Sequence, residues 1–163
     1  HPRLHPCRLS APVLADGSPV TRPSYATHAR VVGGRGGHGR TTDGRLDVDL
    51  SLPKEFGGDG AGTNPEQLFA VGYAACFSSV LTMLGQRRKL EAGDAVVDST
   101  VMLIPLGDGT FRLGAKLEVT LPSIANPQPA VDLVRGAHEL CPYSRATRGN
   151  IDVALVVNGT AVE

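Results

Sequence analysis

The pattern of apolar and polar residues predicts five strands. In residues 45–52, Leu46, Val48, Leu50 and Leu52 alternate with polar side chains, which is the period of a half-buried strand. Turn sequences rich in glycine, such as Asp43-Gly44 and residues 107–109, are typical of hairpin connections. The predicted strands are residues 25–32, 45–52, 95–104, 111–121 and 151–157.

A long helix is predicted to begin at Asn64-Pro65 and to end near Arg88. Asparagine is favoured at a helix N-cap and proline at the first helical position. Residues 68–84 are apolar or small on every side, so we expect this helix to be buried all round. In one domain such burial requires a sheet and a second cover, for example a second subunit.

A second helix is predicted from Asn126-Pro127, with an apolar stripe that ends at Cys141 and with Pro142 as its stop. Strand pairs and helices occur in segregated runs along the chain, an order typical of the α+β class. The predicted fold is therefore α+β, with antiparallel strands, a long buried central helix and a second packed helix.

Composition excludes several classes of function. A length of 163 residues fits one domain, and 16 Lys and Arg balance 16 Asp and Glu. Zero net charge and 4% aromatic residues without tryptophan argue against nucleic-acid binding. The uncharged segment 68–85 is borderline in length for a membrane span, and a core helix is the favoured interpretation. We therefore expect a compact intracellular domain that does not bind membranes.

Residues 1–24 contain five of the twelve prolines and have no apolar run of the length that a secretory signal needs. They are predicted to form a flexible extension, in which Cys7 has no assigned role. The folded domain is predicted to span residues 25–163.

Residues 34–39 match the GxGxxG pattern of dinucleotide-binding loops, but such a loop must open a helix. The alternating residues that follow indicate a hairpin instead, which disfavours a nucleotide site. Two other interpretations remain open. The segment is either a plain flexible hairpin loop, or its glycines let Arg35 swing into a site and out again.

Cys76 lies in the middle of the long helix and Cys141 at the end of the second. Each is either an inert core residue or a reactive thiol, and reactivity requires stabilisation of the thiolate, for example by an arginine. The two can pair only if the helices pack together. His138 and Cys141 have the spacing of one edge of a metal site, but no second ligand pair accompanies them, so no metal is predicted.

Glu66 precedes Cys76 by ten residues, which is a rise of about 15 Å on one helix. Glu66 therefore cannot touch Cys76 along its own helix. It is either a favourable first-turn acid, or it acts on Cys76 through an intermediary such as Arg35 or across a subunit interface.

Two segments resemble signatures of the organic hydroperoxide resistance proteins, in the superfamily of osmotically inducible protein C. Residues 63–77, TNPEQLFAVGYAACF, resemble the first signature, and residues 141–150, CPYSRATRGN, resemble the second. The resemblance extends from Tyr25 to Val157 and includes Gly33-Gly34-Arg35. The extension that carries Cys7 is not covered.

The resemblance implies an intertwined homodimer that reduces organic hydroperoxides with no metal or organic cofactor. It implies that Cys76 is the peroxidatic thiolate and Cys141 the resolving thiol. Arg35 is implied to stabilise the thiolate and bind the peroxide, while Glu66 orients the guanidinium. The implied reductant is a dithiol, a lipoyl group on a partner protein, and the implied location is the cytoplasm.

The loop departs from the family pattern in having Gly37-His38 after Gly36, which leaves Arg40 as an alternative to Arg35. Two alternative functions also remain. One is a relative from another branch of the superfamily with a different peroxide preference. The other is a non-catalytic binding domain with two inert core cysteines.

Overall fold

The computed structural model describes residues 23–163 together with Val13, Ala15 and Gly17. Cys7 and most of the predicted extension, residues 1–24, lie outside the described residues. The described residues form seven strands and three helices. In chain order these are β1 (Ala29–Val32), β2 (His38–Thr41), β3 (Asp47–Asp49), α1 (Pro65–Arg87), β4 (Val96–Pro105), β5 (Phe111–Thr120), α2 (Pro127–Leu140), α3 (Pro142–Thr147), β6 (Val153–Val157) and β7 (Thr160–Val162).

Strands β1, β2 and β3 form a small antiparallel sheet in that order. The glycine-rich loop opens a hairpin and not a helix, as predicted, and Gly33 and Gly34 adopt positive φ angles of 83° and 59° that favour glycine. The second strand of this hairpin, β2, was not predicted, because His38–Thr41 has no apolar alternation of its own. This strand is fixed by its pairing with β1 and β3.

Strands β4, β5, β6 and β7 form a second sheet in that order. The predicted β4–β5 hairpin is present, and Leu117 and Val119 of β5 face the core as expected. Two predictions were incomplete. Strands β5 and β6 are parallel, because helices α2 and α3 carry the chain back to the same end of the sheet, and β7 was not predicted.

Helix α1 begins where the sequence predicts. The Asn64 side chain accepts a hydrogen bond of 2.9 Å from the Gln67 backbone N–H, and Pro65 occupies the first helical position. Tyr73, Phe77 and Leu81 are fully buried in a core that α1 shares with β5 and α2. Glu66 is thereby fixed in the first turn and Cys76 near the middle of the helix.

The single chain buries one side of α1 and leaves the other open, so burial all round still requires the second cover that the sequence analysis named. Val71 is 70% exposed, and Ala75 and Ser79 follow it one and two turns later on the same open side. By length and composition α1 could also cross a membrane. Its opposite side packs within the protein's own core, which favours the interpretation as a core helix.

The apolar stripe of α2 is buried as predicted, and it includes Ala130, Leu133, Val134 and Ala137. Pro142 ends α2 but also begins α3, which the sequence analysis missed. Proline at the first helical position is the signal that was available, since the N–H that it lacks has no partner there anyway.

Replacing Asn64 by alanine is expected to lower the free energy of unfolding by about 1 kcal/mol, because the Gln67 N–H loses its acceptor. Asn64→Ser keeps a side-chain oxygen at the cap and is expected to retain most of the stability. Urea unfolding at a fixed protein concentration measures both variants. Equal losses in the two would contradict the capping role.

Candidate active site

The structure brings Cys76 and Cys141 together although 65 residues separate them. Their Sγ atoms lie 3.5 Å apart, and both cysteines are free thiols. Cys141 is fully buried, whereas Cys76 is partly exposed. A disulfide needs sulfurs about 2.05 Å apart, so the two atoms must approach by only roughly 1.5 Å to bond.

Three helices position these thiols. Cys76 lies on α1, and Cys141 lies at the junction of α2 and α3. The Cys141 backbone N–H donates to the Ala137 carbonyl at 2.8 Å, and the Cys141 carbonyl accepts from the Arg145 N–H at 2.9 Å. The cysteine is thus held by the last turn of α2 and the first turn of α3.

The surroundings of Cys76 act on its pKa in opposite directions. Burial raises the pKa of this thiol above its ordinary value, because a thiolate loses solvation there. The backbone N–H of Tyr143, in the first turn of α3, donates to the sulfur and lowers the pKa. The neighbouring Cys141 thiol raises it again. Burial is the largest effect, so formation of the thiolate needs further positive charge.

Arg35 and Glu66 form a second pair, within one chain. The Nη1 and Nη2 atoms of Arg35 donate to the two carboxylate oxygens of Glu66 at 2.9 and 2.7 Å. This two-point contact lowers the pKa of Glu66 and raises that of Arg35. The Glu66 side chain is 15% exposed and that of Arg35 45%, so Glu66 anchors a cation that faces solvent.

In the described part of the chain, no hydrogen bond or ion pair joins this second pair to Cys76. Glu66 is fixed about 15 Å along α1 from Cys76, as the helix rise requires. Arg40 pairs with Asp47 of β3, at 3.5 Å, and not with Glu66. Of the two candidate arginines, Arg35 is therefore the one that the structure joins to the carboxylate.

Two apolar cavities share Phe111, and one of them is lined by Pro142 and Tyr143, which follow Cys141 in the chain. A cavity of about 640 Å³ is lined by Phe69, Phe111, Tyr143 and Ile151, among others, and Tyr143 also reaches Cys76 through its backbone. A smaller cavity of about 330 Å³ shares Phe111 with it and includes Arg35. Phe69, from the first signature, thus lines the larger of these two cavities.

Two other apolar residues of the first signature do not line this cavity. Leu68 lines a separate groove together with Val71 and Gly72, and Phe77 is fully buried in the core.

A polar cluster at the junction of α1, α2 and α3 was not predicted from the sequence. It contains Tyr73 of α1, His138 of α2, and Ser144 and Thr147 of α3, joined by hydrogen bonds of 2.8 to 3.2 Å. The available signal was a tyrosine inside an uncharged helix, since a buried hydroxyl needs a partner. His138 does not pair with Cys141 as a metal edge, and the described residues contain no group of three potential ligands.

Comparison with known proteins places these features in a family. Residues 57–156 match the family described as OsmC-like protein. The chain is 44% identical over 135 residues to the organic hydroperoxide resistance protein of Xanthomonas axonopodis pv. citri (strain 306), covering 82% of this chain and 94% of that protein. It is 42% identical over 123 residues to the organic hydroperoxide resistance protein OhrB of Bacillus subtilis (strain 168), covering 76% and 90%.

Solved structures of proteins with the same family name superpose on this chain. An organic hydroperoxide resistance protein OsmC from Legionella pneumophila superposes with a TM-score of 0.79 at 46% identity, covering 83% of this chain and 98% of that one. A putative organic hydroperoxide resistance protein from Vibrio cholerae, with captopril bound in one of its active sites, gives 0.81 at 46% identity, covering 86% and 96%. With this fold and these two thiols, the chain belongs to the OsmC-like family, among relatives named organic hydroperoxide resistance proteins.

Proposed function

We propose that this protein is a thiol peroxidase that reduces organic hydroperoxides to alcohols. The observation that supports this most directly is the 3.5 Å separation of two free thiols, one buried and one partly exposed, in a member of this family. A binding domain with two inert core cysteines does not require two free thiols that a small movement can join in a disulfide.

The Cys76 thiolate attacks the distal oxygen of R–O–O–H. The S–O bond forms as the O–O bond breaks, and the leaving alkoxide takes up a proton to give the alcohol. The Cys141 thiol then attacks the sulfur of the resulting sulfenic acid. The S–S bond forms, the S–O bond breaks, and hydroxide leaves with the thiol proton as water. An external dithiol, which we propose to be a lipoyl group on a partner protein, returns two electrons by thiol–disulfide exchange.

Arg35 supplies the positive charge that burial of Cys76 demands. A guanidinium is charged at any working pH, and its fork can hold a carboxylate and a thiolate or peroxide together. Its glycine-rich loop allows it to move, and its contact with Glu66 determines the orientation of the planar group.

The Arg35–Glu66 pair of one chain is better placed to contact the Cys76 of a second chain than the Cys76 of its own. Glu66 is fixed in the first turn of α1 and cannot follow Arg35 towards the Cys76 of its own helix. Exposed apolar residues offer the necessary interface, since Val31, Val32 and Val71 are all more than half exposed in the single chain. We therefore propose a homodimer in which each site combines residues of both chains.

The apolar cavity next to Tyr143 suits an alkyl or aryl tail, which favours organic over small inorganic peroxides. The related Vibrio cholerae protein, which holds captopril, has an active site that admits an organic molecule. The proposed mechanism uses no cofactor, and we propose the cytoplasm as the location, since the lipoyl-bearing partner must share the compartment of this protein. A relative with another peroxide preference remains the alternative within the family.

One equivalent of cumene hydroperoxide is expected to consume both core thiols and to give a Cys76–Cys141 disulfide. Cys76→Ser is expected to abolish peroxide consumption, whereas Cys141→Ser completes a first turnover and stops as the sulfenic acid. Thiol titration and mass spectrometry of digests measure these products. Thiols that remain titratable, or equal residual activity in both variants, would exclude the proposed roles.

The rate of Cys76 oxidation is expected to rise with pH, because the thiolate is the reactive form and burial holds the thiol pKa above its ordinary value. Removing the cation in Arg35→Ala raises that pKa further, so the midpoint of the rate–pH profile moves to higher pH. Arg40→Ala is the control and leaves the midpoint in place. Stopped-flow thiol oxidation measures both, and a shift only in Arg40→Ala would transfer the role to Arg40.

Mixing Cys76→Ser with Arg35→Ala tests whether the site is shared between chains. A mixed dimer then holds one site with both substitutions and one intact site. Random exchange places half of the chains in mixed dimers, so roughly a quarter of wild-type peroxide reduction is expected to return. If the site lies within one chain, mixing restores nothing. Light scattering of the mixture and of the wild type verifies the dimer.

A further inference from the structure

The polar cluster of Tyr73, His138, Ser144 and Thr147 is a chain of hydrogen bonds. The donor and the acceptor of each bond can be derived. Thr147 Oγ1 lies 3.1 Å from the Ser144 carbonyl, which can only accept, so the Thr147 hydroxyl donates its single proton there. Thr147 must then accept from the Tyr73 hydroxyl, 3.2 Å away. Tyr73 in turn accepts from the Ser144 hydroxyl at 2.8 Å.

The same reasoning extends to His138. The Ser144 hydroxyl has given its proton to Tyr73, so at 2.9 Å from His138 Nδ1 it can only accept. Nδ1 therefore carries a proton. The chain runs one way, from His138 to Ser144 to Tyr73 to Thr147, and it assigns the Nδ1–H tautomer to the neutral imidazole.

This chain ties together the three helices that hold the thiols. Tyr73 lies one turn before Cys76 on α1, and His138 lies one turn before Cys141 on α2. Ser144 is fully buried and lies in α3, whose first turn bonds the Cys141 carbonyl and acts on the Cys76 thiol through the Tyr143 N–H. Tyr73 is also fully buried, so the loss of any member removes a hydrogen-bond partner from a polar group in the interior.

We infer that the chain His138–Ser144–Tyr73–Thr147 positions Cys141 for attack on oxidised Cys76, an inference that rests on the proposed function. The resolving step moves one sulfur roughly 1.5 Å towards the other, and its rate depends on how well that approach is aligned. The peroxide step occurs at Cys76 and does not require the Cys141 sulfur to move. The chain therefore acts mainly on the second step.

Tyr73→Phe and Ser144→Ala test this inference. In both, the first oxidation of Cys76 is expected within about twofold of wild type, while disulfide formation slows roughly tenfold or more. Sulfenic acid accumulates and is trapped by dimedone. The controls are the same substitutions at hydroxyls outside the chain: Tyr25→Phe, where the tyrosine is 80% exposed, and Ser99→Ala, where the buried hydroxyl has no partner among the described residues.

A merely structural effect gives a different result. Partial unfolding lowers the amplitudes of both steps equally and leaves the rate of the folded fraction unchanged. Disulfide formation at the wild-type rate in folded Tyr73→Phe would overturn the inference.

The histidine provides a second test that does not require loss of a core hydroxyl. An asparagine amide nitrogen is as many bonds from Cα as Nδ1, and a glutamine amide nitrogen as many as Nε2. His138→Asn is therefore expected to retain rapid disulfide formation and His138→Gln to lose it. Long-range 1H–15N spectra of wild type are expected to show the Nδ1–H tautomer, and an Nε2–H tautomer would contradict the direction of the chain.

The inference and the proposed function can fail separately. Diamide oxidises paired thiols to a disulfide without any peroxide. If wild type consumes no cumene hydroperoxide, the proposed function fails, and diamide-driven disulfide formation in the same variants still tests the positioning. A slower reaction in Tyr73→Phe than in Tyr25→Phe supports the inference, and equal rates overturn it.

Discussion

The packing of α1 against α2 and α3 determines where both thiols lie. Phe77 and Leu81 of α1 share one core with Leu133 and Val134 of α2, and burial of such side chains is worth about 1.5–3 kcal/mol each. This packing leaves the two sulfurs 3.5 Å apart. The same burial opposes reactivity, because it raises the pKa of Cys76. The core packing thus brings the two thiols together and also makes a positive charge necessary to stabilise the Cys76 thiolate.

That opposition explains the division of the site between core and surface. A guanidinium buried beside Cys76 without a partner would carry a large desolvation cost. Arg35 instead lies on an exposed hairpin loop outside the core, and Glu66 at the start of α1 compensates its charge. Stable packing and the proposed cation are therefore supplied by different parts of the chain.

Features set by local chemistry could be predicted from the sequence, and features set by distant pairing could not. The cap at Asn64, the β4–β5 hairpin and the stripe of α2 each have a signal within a few residues. Strands β2 and β7 and the parallel β5–β6 pair depend on neighbours far along the chain. The two cysteine motifs indicated the thiols, and the contact of Arg35 with Glu66 across 31 residues was expected from the family resemblance and not from spacing.

The proposed dimer interface, which completes the proposed site, also explains why α1 is apolar on every side. A helix at the surface of a single chain needs only one apolar side, yet α1 keeps Val71 and Ala75 on its open side. All four residues of β1 are exposed as well, including Val31 and Val32. In the proposed homodimer, a second copy would cover these surfaces and would bring an Arg35–Glu66 pair to the Cys76 of its partner. Folding stability and thiolate formation would then depend on one interface.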